Sequence, residues 1–159
     1  MKALSEAAGH FSDSREKEGE NLKTDILAKL EGMKKNVAFI EERYPSIVSE
    51  YRKKLEDKVA ELLGDTNVDE NRIAAEVVIY SDKICVDEET VRLRSHLSQL
   101  EDMLEQGGAV GRKLDFLIQE FNREANTIGS KCSDVALSRV VVELKGEIEK
   151  IREQVQNIE

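Results

Sequence analysis

The amino-acid sequence predicts an all-α protein, a long antiparallel helical hairpin joined to a bundle of about four helices. Three observations predict it. One proline and nine glycines in 159 residues are too few to punctuate many turns. Charged residues make up 36% of the chain and aromatic residues 4%, the balance of long amphipathic helices rather than of sheets. Apolar residues recur at three- and four-residue steps almost throughout, and the most β-rich segments, VVIY and RVVVEL, lie inside that helical periodicity.

Residues 1–14 read as a short Ala-rich helix or flexible lead, with Ser12 or Ser14 capping the helix that follows. In residues 20–44, Leu22, Ile26, Leu30, Met33, Val37, Ile40 and Tyr44 keep close to a heptad seam. Pro45 biases Tyr44 away from helical geometry and suits the first turn of a new helix. A break is expected there, followed by a helix from Pro45 to Leu63 with Ile47, Val48, Tyr51, Leu55, Val59 and Leu62 inward. Short connections favour antiparallel neighbours, so residues 15–66 read as the hairpin; a kinked continuous helix is the alternative. Gly64-Asp-Thr-Asn is a turn, and residues 67–159 form a second helical unit.

Within that unit the next helix covers residues 69–83, with Ile73, Val77, Tyr80 and Ile84 inward. Asp87 is a good N-cap for a helix over residues 88–106, whose inward leucines are Leu93, Leu97, Leu100 and Leu104; Gly107-Gly108 ends it. A helix begins at Gly111, and Gly129-Ser130 is expected to break or bend the chain near Lys131. Ser133 or Asp134 caps the last helix. Its apolar residues Leu137, Val141, Leu144, Ile148, Ile151, Val155 and Ile158 form a heptad seam that needs a partner helix, within the chain or from another subunit.

The net charge of −9 argues against a protein that coats nucleic acid by bulk attraction. It is uneven: residues 66–91 hold two basic and seven acidic side chains, residues 92–131 six of each. A local basic site, or a carboxylate cluster holding a cation, remains open. Residues 1–11 have no secretory apolar stretch, and no run approaches the ~18 apolar residues of a membrane helix. Cys85 and Cys132 have neither metal-site spacing nor a disulfide framework. A cytoplasmic setting without a membrane is the expectation. Walker A, GxGxxG, HExxH and GxSxG sequences are absent, and His10 and His96 are the only histidines. Any chemistry must therefore use carboxylates, His96, Arg or Lys, with or without a metal.

The stretch GRKLDFLIQEFNREANTIGSK, residues 111–131, is the most informative. At about 100° per residue, Leu114, Leu117, Ile118, Phe121, Ala125 and Ile128 form a core stripe. The opposite face carries Arg112, Phe116, Gln119, Glu120, Arg123, Asn126, Thr127 and Ser130. A merely solvated face would be mostly Lys and Glu; the groups around Phe116 are directional hydrogen-bonders, so the face reads as built to contact something.

Together with AAEVVIYSDKICVDEETVRLRSHL (residues 74–97) and VVELKGEIEKIREQVQNIE (141–159), this stretch resembles the YicC/YloC family of bacterial proteins, densely over residues 67–159 and more loosely over 15–63. The resemblance implies an endoribonuclease that cleaves RNA with a divalent cation. It also implies a cytoplasmic homo-oligomer, a hexamer in full-length members, that opens and closes around RNA. It is a resemblance to the C-terminal half of the family, whose full members carry a further N-terminal domain about as large as this chain.

Glu120 and Glu124, one turn apart, are spaced to share Mg²⁺ or Mn²⁺; equally they are spaced for ordinary surface pairs such as Glu120 with Arg123. Glu76 is a further metal-ligand candidate from a second acidic group. His96 is placed to move a proton or bind metal, or only to bond a neighbouring carboxylate. Catalytic candidates are thus His96, Glu120 and Glu124, and metal candidates Glu76, Glu120 and Glu124. RNA-contact candidates are Arg92, Arg94, Arg112, Lys113, Phe116, Gln119, Arg123, Asn126 and Lys131. RNA, not DNA, is the expected partner. Two other functions stay open: a non-catalytic oligomerisation and RNA-clamp module with chemistry in the N-terminal domain, and a scaffold for protein partners.

Overall fold

The computed structural model describes residues 2–63, 69–107 and 111–156, and among them it is all-α. Five helices follow in order: α1 (Lys2–Leu63), α2 (Glu70–Ile84), α3 (Asp87–Gln106), α4 (Gly111–Lys131) and α5 (Val135–Val155). At ~1.5 Å per residue α1 is about 93 Å long, some three times the length of α3, α4 or α5. Only its middle belongs to the core.

That middle, α3, α4 and α5 form a four-helix bundle in which α1 packs on α3 and α5, and α4 packs on the same two helices from the far side. Polar contacts set the directions. Lys34 pairs with Glu101 and Glu41 with Arg94; Asp25 accepts from Gln154, and Arg43 pairs with Asp134. Glu89 pairs with Lys131 and Arg92 with Glu124. Neighbours are therefore antiparallel, as short connections require. The core takes Ile26, Leu30, Met33, Val37 and Ile40 from α1, the four leucines of α3, the α4 stripe, and Leu137 to Val155 of the α5 seam. The α5 seam thus finds its partner within the chain; Ile158 of that seam lies outside the described residues, as do the Gly64-Asp-Thr-Asn turn and Gly108.

The expected hairpin at Pro45 is not there. α1 runs helically through Ser12, Ser14 and Pro45, so neither serine is a cap. Proline inside a helix costs ~3 kcal/mol through a lost hydrogen bond and a clash with the preceding turn. Contacts on both sides of it offset that cost. Ile40 and Ile47 are buried, each contributing about 1.5–3 kcal/mol. The Tyr44 hydroxyl donates to the Ser81 carbonyl at 2.7 Å. The Arg43 guanidinium spans the proline turn, donating to both Glu50 carboxylate oxygens at 2.6 and 3.0 Å and to Asp134 at 2.9 Å. A hairpin does form, but one element later: α2 packs on the C-terminal part of α1, with the Tyr51 and Tyr80 rings stacked 3.7 Å apart.

Local caps mark most other boundaries. The Asp69 carboxylate accepts from the Asn71 amide, and the Asp134 carboxylate from the Leu137 amide at 2.9 Å. Gly107 ends α3 with φ of +65°, a conformation glycine adopts without strain. Asp87 is inside α3 rather than its cap, because the buried Val86 takes the cap position; Asp87, Glu88 and Glu89 then face the positive end of the helix dipole. Gly129 does not break α4 either. A Cβ there would stand 3.2 Å from Val141 Cγ1, so this glycine allows α4 and α5 to approach closely.

Candidate active site

The buried stripe of α4 fixes its rotation and so points its polar residues in three directions. Glu120 and Glu124 lie on the flank against α3. Gln119, Asn122 and Asn126 lie on the flank towards α5. Arg112, Phe116 and Arg123 form an exposed ridge between the flanks.

On the α3 flank, His96 meets both glutamates: one ligand atom from each of His96, Glu120 and Glu124 lies within 4.8 Å of the other two. Glu124 is only 2% exposed, while Glu120 and His96 are half-buried. The His96 ring stands edge-on to buried Phe121, centroids 6.2 Å apart at 81°, which holds the imidazole in place. Its Nδ1 is buried and has no hydrogen-bond partner. Arg92, one turn before His96, brings Nη1 to 3.5 Å from Glu124 and donates from Nη2 to Glu88 at 2.9 Å. Arg123 is 3.9 Å from Glu120, on the solvent side.

This donor set suits a divalent cation. Two carboxylates at this separation repel, and the half-exposed Arg92 guanidinium shared with Glu88, with the exposed Arg123 beside Glu120, offsets only part of that. Carboxylate oxygens with one imidazole nitrogen fit Mn²⁺ well and Mg²⁺ less well, since Mg²⁺ prefers oxygen alone. The unpartnered His96 nitrogen supports the fit, because a buried polar atom ordinarily has a hydrogen-bond partner.

Other candidates are engaged elsewhere. Glu76 is exposed on α2, close to Tyr51, and takes no part in the cluster: α2 packs on α1, away from α4. Arg94 lies about 200° around α3 from Arg92 and donates to Glu41 of α1 at 2.8 Å. Lys131 faces inward, its Nζ donating to Glu89 at 2.8 Å and to the Cys85 carbonyl at 2.9 Å. It latches α3 to α4 and is not a surface cation. Charge type alone did not reveal which way these side chains face. Arg112, Lys113 and Phe116 are exposed, Phe116 by 59%.

Gln119, Arg123 and Asn126 reach a groove of about 690 Å³ between α4 and α5, walled also by Asn122 of α4 and by Arg152 and Gln156 of α5. Sequence reasoning missed the α5 wall. Its signal is the four-residue spacing of Arg152 and Gln156 beside the heptad seam. It also missed buried Glu89, four residues before Leu93 on the inner face of α3.

The family described as "Endoribonuclease YicC-like, C-terminal" matches residues 40–159. The chain belongs to this family. The matched segment contains His96, Glu120, Glu124 and the whole groove. The chain is 48% identical over 158 residues to the probable endoribonuclease YicC of Clostridioides difficile (strain 630), covering 99% of this chain and 54% of that relative. It is 35% identical over 159 residues to the probable endoribonuclease YicC of Haemophilus influenzae (strain ATCC 51907 / DSM 11121 / KW20 / Rd), covering 100% and 55% respectively. The chain thus spans about half the length of these YicC-like relatives. Among its described residues no helix is long and apolar enough to cross a membrane.

Proposed function

We propose that this chain carries the catalytic centre of a divalent-metal-dependent endoribonuclease, with His96, Glu120 and Glu124 as its core. The observation that carries the reading is the convergence of those three side chains, with the His96 Nδ1 buried and without a hydrogen-bond partner. A bound divalent cation supplies Lewis acidity at a phosphoryl oxygen and a more acidic water. The protein's own residues do the rest. Arg92 holds the Glu124 carboxylate in place from one side. Glu120, the more exposed carboxylate, and Arg123 beside it border the solvent side, where a phosphodiester would approach. Arg112 and Arg123 on the ridge, and the exposed Lys113 on the flank beside Glu120 and Glu124, orient neighbouring phosphates as fork and point donors. RNA is the proposed substrate and a homo-oligomer the proposed working form, in a cytoplasmic setting.

The test is RNA cleavage by the protein with Mn²⁺, with Mg²⁺ and with chelator. Cleavage should need the cation, and Glu120→Gln or Glu124→Gln should abolish it without changing the helical content. Undiminished cleavage by both variants would remove the cluster from the reaction. It would favour the second reading, a helical oligomerisation and RNA-clamp module with its chemistry in another part of a longer protein. The reach of α1 beyond the bundle, with residues 13–21 all exposed, supports that reading.

A further inference from the structure

The endoribonuclease reading leaves the groove between α4 and α5 without a role. We infer that it is a base-reading subsite for one nucleotide of single-stranded RNA beside the scissile phosphodiester, an inference that rests on that reading.

Position is the first argument. Gln119 is adjacent in sequence to Glu120 and Asn126 is two residues past Glu124, so groove and cluster lie at the same level of α4 on opposite flanks. On a helix ~10–12 Å across, Gln119 and Glu120 are separated by roughly 9–10 Å around the cylinder, and Asn126 and Glu124 by roughly 14–17 Å. A strand crossing the exposed ridge would place one phosphate at the cluster and a neighbouring base at the groove. Arg123 sits on the ridge at the rim of both.

Available hydrogen-bonding capacity is the second argument. The Asn122 amide donates to the Ile118 carbonyl and the Thr127 hydroxyl to the Arg123 carbonyl, so these two are partly engaged within the helix. Gln119 and Asn126 are exposed and their side chains make no hydrogen bond among the described residues. Each offers an acceptor and two donors in one plane, the pattern that matches a base edge. Buried Ile118 provides an apolar floor, and Arg152 adds a cation from the α5 side. An apolar floor, planar amide walls and a rim in which Arg123 and Arg152 outnumber the one carboxylate, Asp115, suit an unstacked base and its phosphate. A base inside a duplex cannot enter a recess, whereas the splayed base of a single strand can. The volume of about 690 Å³ is within the usual ~300–1,000 Å³ for small-ligand sites.

Two measurements on the protein test this. In the first, a randomised single-stranded RNA pool is cleaved with Mn²⁺ and the cut sites are sequenced. The wild type should show a base preference at one fixed position beside the cut. Gln119→Ala with Asn126→Ala should flatten it by about tenfold or more and raise KM more than it lowers kcat. Alanine at exposed helical sites favours the helix, so folding is preserved. An unchanged preference overturns the inference. In the second, a short 4-thiouridine oligoribonucleotide is photo-crosslinked in chelator, where no cleavage is required. Crosslinks should fall in residues 115–127 and 152–156, be lost in the double variant and resist competition by a blunt RNA duplex. Crosslinks elsewhere, equal competition by duplex, or no binding at all overturn it. Groove crosslinks from a protein that cleaves nothing would uphold the subsite and count against the catalytic reading instead.

Discussion

Replacing Glu124 by Gln should reverse its effect on stability between metal-free and metal-loaded protein. The Glu124 side chain is 3% exposed and its carboxylate stands within 4.8 Å of its neighbours in the cluster and 3.5 Å from Arg92. At an effective dielectric constant near 20, repulsion from Glu120 is worth ~3.5 kcal/mol and attraction to Arg92 ~4–5 kcal/mol. Arg92 is half-exposed and shared with Glu88, so screening reduces its share and the two nearly cancel. Without metal, Glu124→Gln should therefore change stability by no more than about 1 kcal/mol, in the stabilising direction if either. Metal changes the balance. A cation at about 100 times its dissociation constant stabilises the wild type by ~2.7 kcal/mol, or roughly 5–10 °C in a chain of this length. The variant has lost one of three ligands and should gain less than about 2 °C. Thermal unfolding followed by far-UV circular dichroism, in chelator and in saturating Mn²⁺, measures all four values. Equal metal shifts in the two proteins, or no shift in the wild type, would refute the assignment of these side chains as ligands.

Three further outcomes follow from the fold. Pro45→Ala should stabilise the protein by about 1–3 kcal/mol, because α1 is already helical there and gains a hydrogen bond; a loss of stability in denaturant titrations would mean that the chain needs a break at Pro45. Lys131→Met should cost roughly 1–3 kcal/mol, discounted for its partial exposure, by leaving the buried Glu89 carboxylate unpaired. Adding Glu89→Gln should recover most of that loss, and a double variant no better than the single one would contradict the latch. Arg43 holds the Asp134 carboxyl below the usual Asp range through its hydrogen bond, and Arg94 does the same for Glu41. Groups depressed on folding contribute stability that is complete above the unfolded values, about 3.9 for Asp and 4.3 for Glu, and is lost as pH falls through the folded ones. The melting temperature should thus decline below about pH 4, less steeply in Asp134→Asn, which keeps a capping side chain; equal acid slopes would rule out this pair as a contributor.

The parts of the fold that were legible in the sequence are those decided locally. Asp69, Gly107 and Asp134 mark helix ends through their own side chain or backbone, and the inward stripes of α3, α4 and α5 follow from spacing alone. The continuity of α1 was not legible. Whether a proline interrupts a helix depends on what its neighbours touch, and Tyr44 and Arg43 touch Ser81 and Asp134, far away in sequence. The same division holds at the site. Glu120 and Glu124 share a face by their spacing, but the approach of His96 depends on how α3 rotates against α4. Leu93, Leu97 and Leu100 set that rotation by burying themselves. Arg94 and Lys131 show the converse, cations whose type suggested phosphate contacts while rotation turned one to Glu41 and the other to Glu89.

α4 itself separates stability from function. Its apolar stripe and the Lys131 latch anchor it, since Leu114, Phe121, Ala125 and Ile128 are completely buried and Lys131 holds Glu89. Glu120 and Glu124 on one flank and Gln119 and Asn126 on the other are therefore free to be chosen for chemistry. Of these only Glu124 is buried, and a buried carboxylate beside a second carboxylate gives the folded chain nothing that glutamine or leucine would not give at lower cost. The proposed cation at that point would make glutamate the better residue there, and this is why the stability of Glu124→Gln in the presence and absence of metal tests the proposal directly.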